Sequence, residues 1–107
     1  MSEPRWVRDA LSEREYQEVK FPNQHLPNGT DASRYSELEW QAKRIVDLAV
    51  ECGELTWLHV LDEEVKEAFA ETDRAKLRAE LIQVIAVAGR WIEDIERSAT
   101  LDVMETS

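Results

Sequence analysis

Apolar positions recur at intervals of three and four along most of the chain, the spacing that lines up one face of an α-helix. Pro4 suits the first turn of a first helix, with Ser2 or Glu3 near its cap. That helix runs to about Lys20 and carries Trp6, Val7, Ala10, Leu11 and Val19 as its stripe. The segment FPNQHLPNGT, Phe21 to Thr30, holds two prolines and an Asn-Gly pair, so it predicts an ordered loop. Asp31 or Ser33 then caps a second helix reaching about Cys52, with Trp40, Ile45, Leu48 and Ala49 inward and Gly53 as its stop. Thr56 caps a third, from Trp57 to about Glu71, striped by Leu58, Leu61, Val65, Ala68 and Phe69. Asp73 caps a fourth, from Arg74 to about Arg97, striped by Leu77, Leu81, Val84, Ala88, Trp91 and Ile95.

Four helices joined by short connections predict an all-α fold, an antiparallel four-helix bundle. The expected organisation is one domain over residues 1–100, followed by a flexible tail over residues 101–107. A seam this broadly apolar is expected to bury part of itself against a second copy, as a homodimer or homotetramer.

Charge narrows the function classes. The chain of 107 residues carries 13 Lys and Arg against 23 Asp and Glu, a net charge of −10. Such a surface repels nucleic-acid polymers, whose partners are basic, yet it can take a single nucleotide through a divalent cation. No apolar run approaches the roughly 20 residues that span a bilayer. The start MSEPRWVRDA lacks the apolar stretch of a secretory signal. Cys52 is the one cysteine and has no partner for a disulfide or a thiolate metal site, which suits a reducing cytoplasm.

The acids carry the candidate chemistry. Glu63, Glu64 and Glu67 form E-E-V-K-E on the third helix, and Glu80 and Gln83 stand three apart on the fourth. Residues three and four apart are neighbours on a helix surface, and both sets flank the apolar stripes. Antiparallel packing through those stripes brings the acids of one helix to the acids of the other. Each like-charge pair at 4 Å costs about 4 kcal/mol at an effective dielectric of 20. Protonation, solvent exposure or a bound cation must offset that repulsion. A hard divalent ion is the most economical answer, and Mg²⁺ prefers a few carboxylates, water and substrate phosphates. A plain solvated helix face produces the same E-x-x-E spacing, so the pattern by itself does not choose between the two.

The full arrangement, Glu63-Glu64-x-x-Glu67, twelve residues, then Glu80-x-x-Gln83, resembles the E-E-x-x-E…E-x-x-D motif of MazG-like nucleoside triphosphate pyrophosphohydrolases. The stretch LDEEVKEAFAETDRAKLRAELIQVIAVAGRWIEDIER is similar to the actinobacterial and phage branch of that family. Glu13 to Thr30 also resembles a segment of that branch, E-R-x-x-Q-x-x-K-W-G-x-Q-x-H-P-x-G-T, with Phe21 in place of the tryptophan, Pro22 of the glycine and Leu26 of the histidine. The resemblance implies a helical-bundle enzyme, dimeric or tetrameric, that hydrolyses (deoxy)nucleoside triphosphates to monophosphate and pyrophosphate. It implies Mg²⁺ as cofactor and Glu64, Glu67 and Glu80 as its ligands, with Glu63 orienting or deprotonating the attacking water. Gln83 stands where the family's main pattern has Asp. Its carbonyl can ligate Mg²⁺ or hold one of its waters, but without a charge. That neutral substitution also opens the alternative of a catalytically silent module that keeps the fold and captures a nucleotide or a protein.

Around the loop, Phe21 can stack a base while Gln24 reads its edge, and Gln17 and Lys20 stand three apart on the same helix exit. An aromatic plug over the bundle end accounts for Phe21 equally well. Trp40, Trp57 and Trp91 read as core or interface anchors. His59 reads as an interfacial histidine, and Arg90 as a partner for a phosphate or for Glu93 or Asp94.

Overall fold

Three of the four helices begin where a side chain satisfies one of the first free N–H groups. The computed structural model describes residues 3–106, with side chains through residue 100. Its regular structure, among these residues, consists of four helices: α1 (Arg5–Lys20), α2 (Ala32–Cys52), α3 (Trp57–Ala70) and α4 (Arg74–Thr106).

Asp31 rather than Ser33 is the cap of α2, its carboxylate accepting the Ser33 N–H at 2.9 Å. The Ser33 hydroxyl donates to the same carboxylate at 2.7 Å, and this bond, with smaller help from the Ser33 N–H, holds the Asp31 carboxyl below its ordinary range. Gly53 ends α2 in the left-handed region, at φ 69°, where a side chain would clash with its own backbone. Thr56 caps α3 and Asp73 caps α4, the latter accepting the Lys76 N–H at 2.9 Å. Pro4 precedes α1 instead of lying inside it, with no side-chain cap bond. Ser2 lies outside the described residues.

α4 runs beyond the expected stop near Arg97, to Thr106. No glycine or proline follows Arg97 to end it. The tail expected over residues 101–107 falls on side chains outside the described set.

The chain divides into two compact units. One spans residues 29–91 and contains α2, α3 and the first half of α4. Within it α2 packs against α3. The Asp31 N–H donates to the Phe69 carbonyl at 3.0 Å, joining the start of α2 to the end of α3, so the two run antiparallel. The rings of Tyr35 and Phe69 meet beside that bond, 5.4 Å apart. The other unit holds α1, the following loop and α4 from residue 92 onward. There the Trp6 indole N–H donates to the Glu93 carboxylate at 2.7 Å.

Among the described residues the buried apolar side chains are small or few: Ala42 and Ala49 of α2, Ala68 of α3, and Leu77 and Val87 of α4. Several stripe residues expected inward are instead exposed. Trp40 is 62% and Leu58 64% exposed, and Leu11, Val19, Ile45, Leu48, Phe69, Leu81 and Ile95 are also open. The buried positions of the packed α2–α3 pair are alanines, while larger side chains of the same helices, Trp40, Ile45, Leu48, Leu58 and Phe69, stay exposed. No helix among the described residues is long and apolar enough to cross a membrane.

Candidate metal centre

α3 carries Glu63, Glu64 and Glu67 over one turn, and α4 faces them with Glu80. One carboxylate oxygen each from Glu64, Glu67 and Glu80 lies within 4.8 Å of the others. All three residues are half-buried. Two of them come from one helix turn, so their proximity is a local matter. The third arrives only because α3 and α4 fold back on each other through the short Glu71–Asp73 connection.

The electrostatics of this group are unfavourable for three full charges. Burial pushes the Glu67 carboxyl up to about 7, helped by a hydrogen bond with Glu80 that favours its protonated form and by the charges of Glu64 and Glu80. Burial also raises Glu64, with further upward pressure from Glu80 and Glu63. One Glu64 oxygen, Oε2, is buried without a hydrogen-bond partner. A buried, unpartnered carboxylate oxygen is costly in a folded protein, and a cation at the cluster would satisfy it. Three hard oxygen donors of this kind match the ligand preference of Mg²⁺.

The other predicted site residues fall as follows. Glu63 is half-buried beside the cluster and contributes its charge to Glu64 without joining the group of three. Gln83 lies one turn beyond Glu80 on α4 and is exposed. Gln17, Lys20, Phe21 and Gln24 belong to the other unit, not to that of the carboxylates. Phe21 is 50% exposed and follows α1, its N–H donating to the Gln17 carbonyl at 2.8 Å. The Lys20 ammonium lies over the Phe21 ring, 5.4 Å from its centre. Gln24 is exposed in the loop.

His59 and Arg90 have contacts that their sequence positions did not announce. His59 belongs to the cap of α3, where its Nδ1 accepts the Thr56 N–H at 3.1 Å. Arg90 stacks on Trp57, 5.2 Å from its ring centre, while Glu93 accepts the bond from Trp6. The Arg90–Trp57 pair borders an open hollow of about 360 Å³ with Leu55, Thr56 and Val60, and none of the carboxylates lines it. Cys52 is exposed at the end of α2.

Lys43 is the participant that sequence reasoning passed over. Its ammonium lies 3.3 Å from Glu39 and 3.9 Å from Glu67. The Glu39–Lys43 spacing marks an ordinary pair on a helix surface, and nothing local says that α3 passes beside it.

No family model, curated protein or solved structure matches the chain.

Proposed function

We propose that the chain is a Mg²⁺-dependent, MazG-like pyrophosphohydrolase that cleaves (deoxy)nucleoside triphosphates to monophosphate and pyrophosphate. The convergence of Glu64, Glu67 and Glu80 from two helices carries this reading. The unpartnered Glu64 oxygen and the raised Glu67 carboxyl support it, because a bound cation would relieve both. The motif spacing adds the resemblance from which the reaction class is taken.

In this reading Glu64, Glu67 and Glu80 hold Mg²⁺, and the Gln83 carbonyl supplies a neutral donor to the ion or to one of its waters. An ion held there would supply charge to neutralise the phosphates and would lower the pKa of a water. Glu63 orients the attacking water and accepts its proton as the α–β anhydride bond breaks and pyrophosphate leaves. Gln17, Lys20, Phe21 and Gln24 are assigned to the nucleoside on their chemistry: an aromatic face, two amides and a cation. The exposed apolar side chains, Trp40 and Leu58 among them, support burial against a second copy, completing a helical bundle as a dimer or tetramer in the cytoplasm.

The test is incubation with each (d)NTP and Mg²⁺ while pyrophosphate release is followed. Turnover is expected on at least one nucleotide, and Glu64→Ala should abolish it without changing the helical circular dichroism. A folded protein that turns over none of them rejects the activity.

Gln83 favours a second reading, a silent module that binds a nucleotide or a protein partner without hydrolysis. Gln83→Asp separates the two. A rise from no activity to measurable activity supports the silent module, whereas a modest change on an already active enzyme supports the hydrolase.

A further inference from the structure

Two lysines lie close to the carboxylates in chain or in space, and the fold treats them differently. Lys66 stands between Glu64 and Glu67 in sequence, yet its ammonium pairs with Asp62 at 2.9 Å and lies over the Phe69 ring. Lys43 comes from α2, and among the described residues it is the one lysine or arginine in an ion pair with a member of the cluster. Its ammonium sits between Glu39 of its own helix and Glu67, and its side chain is 49% exposed.

This placement has opposite consequences for two forms of the same ion. A bare divalent cation entering the cluster meets the repulsion of Lys43 and competes with it for Glu67. A divalent ion carried by a triphosphate arrives with net negative charge, and the same ammonium then attracts the phosphate oxygens. We propose that Lys43 determines which form of the ion the carboxylates accept, disfavouring the bare ion and favouring the ion–polyphosphate complex. The proposal rests on the cation-binding reading of Glu64, Glu67 and Glu80, and it adds a specificity-determining residue on a third helix.

The experiment measures binding rather than turnover. Mn²⁺ is titrated into the full chain alone, and again with a triphosphate whose α–β bridge is a nonhydrolysable imido group, using calorimetry or the Mn²⁺ electron-spin signal. Lys43→Met should bind bare Mn²⁺ about fivefold more tightly and the Mn²⁺–analogue complex about fivefold more weakly, the size expected for a partly exposed charge interaction. Lys43→Arg keeps the charge and should match the wild type in both titrations. Lys66→Met is the control for charge without contact and should also match. Lys43→Gln carries the same expectations as the methionine variant if that variant fails to fold.

Unchanged affinities in Lys43→Met, a shift of both in the same direction, or an equal response in Lys66→Met would overturn the role of Lys43 alone. A folded wild type that binds Mn²⁺ neither alone nor with the analogue would instead overturn the cation site, and the proposal with it.

Discussion

Glu67 concentrates the chemistry of the site in one side chain. Its carboxyl is pushed from an ordinary value of 4.5 to about 7, first by burial and then by Glu80 and Glu64. A group raised in the folded state binds its proton more tightly there than in the unfolded chain. Its contribution to stability is therefore complete below about pH 4.5 and lost as the pH rises through about 7. The metal-free protein should melt at a progressively lower temperature between pH 5 and pH 8. Glu67→Gln should flatten that part of the profile, as should millimolar Mg²⁺, which replaces the proton as the neutralising charge. Thermal melts across this range check both expectations. A Glu67→Gln profile parallel to that of the wild type would show that Glu67 is not the source of the slope.

At the scale of the element, α3 depends on its first turn. Thr56 accepts the His59 N–H at 3.3 Å, and His59 Nδ1 accepts the Thr56 N–H at 3.1 Å. This is a capping box with histidine in the position where glutamate or glutamine is usual. Nδ1 serves as an acceptor, so the capping ring carries its proton on Nε2. Thr56→Ala should cost about 1 kcal/mol of stability, read as a lower urea midpoint with an unchanged slope. His59→Gln keeps an acceptor of suitable reach and should stay close to the wild type, whereas His59→Ala should lose stability. The cap matters to the site because α3 positions Glu64 and Glu67, and fraying at Trp57 begins two turns before them.

At the scale of the molecule, the decisive property is how little large apolar surface the described residues bury. Among the described residues the buried apolar positions are three alanines, one leucine and one valine, while Trp40 and Leu58 remain more than 60% open. Large exposed apolar side chains mark a candidate association surface when they gather into a patch. Sedimentation at micromolar concentration should therefore return a dimer or a larger assembly, and Trp40→Glu should shift that population toward the monomer. A wild type that sediments as a monomer throughout would remove association from the proposed function while leaving the carboxylate cluster as it stands.

The helices, and the starts of α2, α3 and α4, were legible in the chain because they rest on contacts within four residues. Asp31, Thr56 and Asp73 are local caps, and Gly53 is a local stop. The pairing of Glu64 with Glu67 follows from helical repeat, and Glu80 could be placed opposite them because the intervening connection is short. The end of α4 was less legible, since no residue after Arg97 forces a stop. Tertiary structure alone decided which stripe residues are buried, because helical period marks a face but not how much of it a neighbouring helix covers: Ala42, Ala49 and Ala68 are covered while Trp40 and Leu58 are not. It also decided that Lys43 meets Glu67 while Lys66 turns away. Periodicity establishes a helix face from its own residues, but the charge that meets that face comes from a segment distant in sequence, and only packing brings the two together.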